Sequence, residues 1–383
     1  MAPVDVQQAA VAQAAPPPAG LLGRARHFYE AHEPACTASF FVAGFLFDTL
    51  AVGRIDKLHN VLHQASYLLL CAWLIGLEVR EVYGDFAPPP RLNTAWRYHE
   101  AATHFMLGTL LNIYTLFFFK SASFGASFLF LAVLAALLAV NEFRPPFANS
   151  ATTTRMALFS LCLTSYFTYL VPMLVGSIGP WPFVGSMAGA SAVVALLAWL
   201  LSRRLSARPE AVKRHVVAPF AGVLVGFAVL YGFKLIPPVP LSLSAIGVYH
   251  EVKRDGDLYA LTMTRSRWKF WQRGDQTFLA YPGDKVHCFV SVFSPTHFKE
   301  KLRVRWQFRD PIKGWQESDA IPIEISGGRD GGYRGETVKA KYKPGRWRVR
   351  VETSDSRELG RIDVDVDVVE VSGAPPAGRT VWK

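Results

Sequence analysis

"PGRWRVRVETSDSRELGRIDVDVDVVE" (residues 344–370) decides how the C-terminal part of this chain is read. Trp347, Val349 and Val351 alternate with Arg346, Arg348 and Arg350; Ile362, Val364 and Val366 alternate with Asp363, Asp365 and Asp367. A period of two places successive side chains on opposite faces of a strand. The stretch therefore reads as a hairpin with one face for a core and one for water. With the turn at Asp355–Ser356, Arg348 opposes Asp363 and Arg346 opposes Asp365. A two-residue slip sets Arg350 against Asp363 and leaves every face unchanged. Cross-strand pairs of this kind contribute about 0.2–1 kcal/mol each, so they set register more than stability.

The same alternation extends backward to Val248. Strands are expected near Val248–Arg254, Leu258–Thr264, Gln276–Tyr281, Lys285–Phe293, Leu302–Arg309, Ala320–Ser326, Glu336–Lys341, Gly345–Thr353 and Gly360–Val369. "KRDGDL", "YPGDK", "GGRDGG" and "KPGR" supply the turns. Many short strands with regular turns point to an all-β antiparallel sandwich of immunoglobulin-like type. No Cys…Trp…Cys pattern marks an antibody domain.

Ahead of these strands the chain is too apolar for an ordinary soluble protein. It has 383 residues, 51% hydrophobic and 13% aromatic, with mean hydropathy +0.19. Seven apolar runs approach the roughly 20 residues that cross a bilayer as a helix. They lie at about Cys36–Gly53, His59–Val79, His99–Phe119, Ser121–Asn141, Met156–Gly176, Trp181–Leu201 and Val216–Leu235, with "APPPR", "RPPF", "IGPWP" and "RPEAVKR" between them. The domains follow: a disordered to amphipathic segment at 1–35, without the basic start of a signal peptide; a seven-helix transmembrane α-helical bundle at 36–235; a Pro-rich linker at 236–246; the β-sandwich at 247–371; and a flexible tail at 372–383.

Positive residues orient the helices. Twelve Lys and Arg fall in the segments on the N-terminal side, from Arg24 to Arg214, against Arg54, Lys57, Lys120 and Lys234 on the other. The N-terminus is then cytoplasmic, and an odd number of spans delivers the sandwich outside. The formal net charge is +11, of which +6 falls from Ile236 onward. Lys and Arg flanking membrane helices raise it in any case, and with no zinc-finger spacing and no long basic helix nucleic acid is not expected as a partner.

"IPPVPLS", "GVYHEV", "PGDKVHCFVSVFSPT", "GGRDGGYRGETVK" and "PGRWRVRVETSDSRELGRI", in this order, resemble a bacterial membrane-protein family known as domain of unknown function 2914. The resemblance covers roughly residues 236–370. It implies a multi-pass inner-membrane protein of the bacterial envelope with a periplasmic β domain, and it brings no catalytic residues to carry over.

Three features carry candidate chemistry. In "GGRDGGYRGE" (327–336) the glycines let backbone approach a partner. Arg329, Asp330, Tyr333 and Arg334 offer a fork, an acceptor and a ring to an anionic or sugar-like ligand; the alternative is a hairpin whose charges brace its own turn. "RSRWKFWQRGD" (265–275) interleaves Trp268 and Trp271 with basic residues, which suits binding, packing against the helices, or a lipid interface. In the apolar half, Asp48, Asp56, His59, His63, Glu78, His99, Glu100 and His104 cluster near helix ends. A charge at mid-bilayer costs about 2.5–3.5 kcal/mol, so these need a partner, a wet cavity or an interfacial place.

His59 and His63 are one turn apart, but no metal or other cofactor is inferred. "HEAATH" lacks H-E-x-x-H spacing. Cys36, Cys71, Cys162 and Cys288 form no C-x-x-C pair and read as buried thiols. Gly185–Gly189 and Gly222–Gly226 have the small-residue spacing of close helix packing.

Two functions compete. In the first, the bundle anchors a sandwich that binds an envelope protein or saccharide, without catalysis. In the second, an intramembrane enzyme or transporter uses Asp48, His99, Glu100 and His104 with the sandwich as accessory.

Overall fold

The computed structural model describes residues 57–123, 127–130, 132–134, 151–256, 258–269, 271–295, 298–326, 332–369 and 378–383. The first expected span, most of the fourth, Cys36, Asp48 and Asp56 lie outside these.

Among the described residues, five helices are long and apolar enough to cross a membrane: α1 Leu58–Val82, α2 His99–Ser121, α3 Ala151–Val175, α4 Pro180–Arg204 and α5 Pro209–Gly232. They match the second, third, fifth, sixth and seventh apolar runs. Large apolar side chains face outward along them, among them Leu69, Trp73, Leu196, Val225 and Phe233. The inward faces pack tightly. A Cβ on Gly189 of α4 would come within 2.7 Å of the Phe167 ring on α3, so this glycine is where the two helices touch. Gly222 and Gly226 meet nothing within 4 Å, so the second glycine pair makes no close contact.

Among the described residues eleven strands follow: β1 Ser242–Tyr249, β2 Glu251–Asp255, β3 Leu258–Met263, β4 Thr277–Ala280, β5 Val286–Phe293, β6 Lys299–Asp310, β7 Gly314–Ser326, β8 Tyr333–Lys339, β9 Gly345–Thr353, β10 Glu358–Val368 and β11 Arg379–Trp382. They form a five-stranded sheet β4-β10-β9-β6-β7 and a three-stranded sheet β1-β5-β8. One hydrophobic core joins the two. It holds Val248, Cys288 and Val290 from the smaller sheet and Val304, Trp306, Trp347, Val349, Ile362 and Val364 from the larger. All pairings are antiparallel except β10–β4. A third sheet, β11-β3-β2, covers the opposite face of β5, where Phe289 packs with Tyr249, Val252, Leu261 and Met263. Being covered on both faces, β5 is buried almost throughout.

The hairpin adopts the first of its two registers, with Arg348 opposite Asp363 and Arg346 opposite Asp365. All six of its expected inward residues are in the core.

Two boundaries differ from expectation. The linker is not free: Ile236, Val239 and Leu241 are buried, and β1 already begins at Ser242, because apolar residues between the prolines dock before the strand starts. The tail is partly a strand: β11 pairs with β3 from Arg379↔Met263 to Trp382↔Ala260, covering an edge that would otherwise be open.

The sandwich is tied to the helices at the end formed by Ser121, Val175 and Gly232. Ser123 donates to Glu358, Lys299 N–H donates to Gly176 C=O at 3.0 Å, and Arg357 lies over the Tyr231 ring at 5.2 Å. Ile178, from the α3–α4 connection, is itself part of the sandwich core. These are the segments that the positive-residue count put on the sandwich's side.

Candidate functional site

Two places gather chemistry-bearing side chains. The first is the helix end remote from the sandwich. Arg155, in the first turns of α3, is buried and points at the last turns of α1. Its Nε donates to Glu78 Oε2 at 2.9 Å and its Nη2 to both Glu78 Oε1 and Glu100 Oε1, the latter at 3.1 Å. Side-chain exposure is 8% for Arg155 and 5% for Glu78, so the charges face each other away from water. Thr152 donates to Glu78 as well.

Beside this group runs a chain of neutral polar contacts. His215 Nδ1 meets Thr153 Oγ1 at 2.7 Å and Nε2 meets Tyr83 Oη at 3.0 Å. His215 sits in a π-helical turn, Lys213–Val217, within α5. Such a turn carries an extra residue and redirects side chains, often at functional sites. His99 stacks on Trp96 at 4.0 Å, and the Trp96 indole donates to Glu81 at 2.8 Å. His99 Nδ1 lies 2.6 Å from Trp96 C=O, which only accepts, so Nδ1 carries the hydrogen. Nε2 of the same ring is buried without a hydrogen-bond partner.

Of the residues expected in the apolar half, Glu78 and Glu100 both accept from Arg155, and His99 precedes Glu100 at the start of α2. His104 is half-buried further along α2. His59 and His63 are exposed at the opposite end of α1, about 28 Å and about 23 Å from Glu78 at 1.5 Å per residue. Among the described residues no group of three or more His, Cys, Asp or Glu is placed to hold a metal ion. Sequence reasoning missed the cluster's centre. Arg155 interrupts "TTTRMALF" as an isolated cation next to an apolar run, and that was the available signal.

The second place is the loop between β3 and β4. Trp268 is 84% exposed and Trp271 66%. The base of the loop is held by Asp275, 1% exposed, whose carboxylate accepts from Thr264 N–H at 2.9 Å and Arg265 N–H at 2.7 Å. His250 lies alongside, with Nδ1 3.2 Å from Asp284 Oδ2 and Nε2 3.3 Å from Thr264 Oγ1. Asp275 N–H also donates to Val248 C=O at 2.7 Å, tying the loop to β1. Gly274 allows this approach: its φ is +77° and a Cβ there would stand 2.0 Å from Val248 O. At 84% exposure the Trp268 ring is not packed against the described helices.

The glycine-rich loop contributes less. Arg329 and Asp330 lie outside the described residues. Tyr333 and Arg334 open β8, opposite Val292 and Ser291, and Tyr333 packs against the core with its hydroxyl pushed up by burial. Cys288 is fully buried, and burial raises its thiol to about 12, which leaves it inert.

Residues 299–366 match the family described as "Protein of unknown function (DUF2914)". The DUF2914 match begins at β6 and ends within β10, so it takes in four of the five strands of the larger sheet and β8. It is narrower than the resemblance drawn from the sequence, and it includes neither the helix-end cluster nor the β3–β4 loop. No curated protein matches the chain. Among solved structures, an immunoglobulin-like protein from Pseudomonas aeruginosa is 19% identical, covering 30% of this chain and 97% of that one with a TM-score of 0.18. A beta-glucosidase from Listeria innocua in complex with glucose is 14% identical, covering 29% of this chain and 16% of that one, also at 0.18. Likenesses at this TM-score carry no argument.

Proposed function

We propose that the chain is a binding protein of the bacterial inner membrane. Its helices anchor the sandwich outside the cytoplasm, in the periplasm, with the N-terminus inside, and the sandwich meets a protein or saccharide partner of the envelope. The observation that carries this reading is the pair of exposed tryptophans on a loop latched at its base. Large apolar rings held in water on a braced loop mark a contact surface. The apolar outward faces of the five helices and the distribution of positive residues support the anchoring.

The test replaces Trp268 with a photo-crosslinking residue in the full chain, in living cells. Partner adducts outside the cytoplasm are expected. Absence of any adduct refutes the reading. Reporter fusions after residues 57, 120, 178 and 383 check the topology, with activity outside the cytoplasm expected at all four.

A second reading is favoured by the Arg155–Glu78–Glu100 group: a transport or catalytic site inside the bundle, with the sandwich as accessory. A buried carboxylate–guanidinium group beside a hydroxyl–imidazole–phenol chain is the equipment for holding or passing a proton. Glu100→Gln and His99→Ala, each in a stably folded full chain, separate the two. Loss of cellular function in both while Trp268 adducts persist supports the bundle site.

A further inference from the structure

This inference rests on the reading of the sandwich as a binding module and names the occupant of its exposed loop. We propose that the described residues of the β3–β4 loop, 265–269 and 271–275, bind an acidic polysaccharide, whose sugar rings stack on Trp268 and Trp271 while its anionic groups meet the surrounding Arg and Lys side chains.

Position comes first. The loop is joined to β1 at Val248, where Val248 N–H donates to Arg273 C=O at 3.4 Å and Asp275 N–H returns to Val248 C=O. The chain enters β1 at Ser242, close to the helices. Six strand residues at 3.3 Å each set the loop about 20 Å along the strand from that junction. We take the occupant of the loop from the water phase and not from the protein's own bilayer.

Shape comes second. Trp268 and Trp271 stand three residues apart on successive turns, with Lys269 N–H donating to Ser266 C=O at 3.1 Å and Gln272 N–H to Lys269 C=O at 3.0 Å. Their exposure of 84% and 66% means that they stand out from the surface instead of lining a cavity. A small molecule would find nothing to enclose it. An extended polymer with repeating flat apolar faces fits two protruding rings, because each ring of the polymer that stacks adds to the last. Pyranose rings offer such a face in their axial C–H bonds.

Charge comes third. Arg265, Arg267, Lys269 and Arg273 lie within eleven residues, and their one carboxylate, Asp275, is buried and engaged by backbone N–H groups. Lys383 sits beside Arg273 at the end of β11; burial and that neighbouring guanidinium lower its amine below the ordinary value. Positive potential is therefore concentrated around the rings. It selects a polymer carrying uronate, phosphate or sulfate over a neutral glucan.

The test uses the full chain in nanodiscs of neutral phosphatidylcholine. Binding of polygalacturonate is measured beside neutral dextran, a single-stranded oligonucleotide and anionic phosphatidylglycerol vesicles. Saturable, salt-sensitive binding of polygalacturonate is expected, at least tenfold tighter than that of dextran. The Trp268→Ala/Trp271→Ala variant should lose at least tenfold at an unchanged melting temperature, and Arg267→Gln/Lys269→Gln/Arg273→Gln should abolish the preference for the acidic polymer. Absent binding, binding unaffected by both variants, or tighter binding of the oligonucleotide or the vesicles overturns the assignment. Crosslinks from position 268 distinguish this failure from that of the wider reading. Adducts to an envelope protein without polysaccharide sink the polysaccharide and keep the binding module, whereas no adduct at all sinks both.

Discussion

Arg155→Ala is the most informative single change in the helical part. Arg155 is the only cation seen to donate to the Glu78 carboxylate among the described contacts, and it spans to Glu100. With side-chain exposures of 8% and 5%, water cannot replace it. Removing one partner of such a pair leaves a buried charge and costs about 3–5 kcal/mol. At about 2–4 °C per kcal/mol, the apparent melting temperature should fall by roughly 6–20 °C. The buried thiols Cys71, Cys162 and Cys288 supply the readout, since a thiol-reactive dye reaches them only as the chain opens. Replacing both partners with uncharged groups of similar size, in Arg155→Met/Glu78→Gln, should recover most of the loss, because the isolated charge and not the missing attraction sets the cost. Arg155→Ala melting with the parent protein would refute the buried pair. A double variant as unstable as the single one would show that packing, not charge, explains the effect.

Three other changes probe different parts of the fold. Gly189→Ala should cost about 1–3 kcal/mol in the same dye assay, because its Cβ meets the Phe167 ring at 2.7 Å, while Gly222→Ala and Gly226→Ala melt as the parent does. Gly274→Ala forces a side chain into a positive-φ position against Val248 O; about 1–3 kcal/mol of strain is expected at the loop base, with the adducts from a crosslinking residue at position 268 lost although that residue is unchanged. Asp363 gives a pH signature. Burial pushes its carboxyl up, and hydrogen bonds and charge from Arg348 and Arg346 outweigh that and hold it below its ordinary value. A depressed carboxyl stabilises the fold above its unfolded value near 4, and that contribution is lost as pH falls through the folded value. Asp363→Asn should therefore lower stability at pH 7 and flatten the acid limb below pH 4, followed by Cys288 labelling.

The hairpin at residues 344–370 was legible because its period of two is local and its turn sits between matched faces. The sheet order β4-β10-β9-β6-β7 was not, because it depends on pairings between strands far apart in the chain. Of the two registers left open, Arg348 opposite Asp363 prevailed, and Asp363 then takes hydrogen bonds from both Arg348 and Arg346. Hydropathy located the helices, since it reads only length and composition. It was blind to the Arg155 cluster, whose members arrive from three separate helices. It was equally blind to His215, which a π-helical turn redirects without any trace in the periodicity. The β11 strand escaped because four residues after a Pro-rich stretch are too few to show alternation.

Ile178 belongs by sequence to the connection between two apolar helices and by packing to the sandwich, whose remaining core residues begin at Leu241. Some sixty residues of helix and turn emerge from the ribosome between those two points, so the seat for the sandwich exists before any strand has been made. A fragment cut after the last helix would therefore start life with a hole where that side chain belongs, and grafting the sandwich onto a foreign anchor would leave the same gap. Inheritance should follow suit: the α3–α4 connection and the strands that clasp it are expected to change together or not at all.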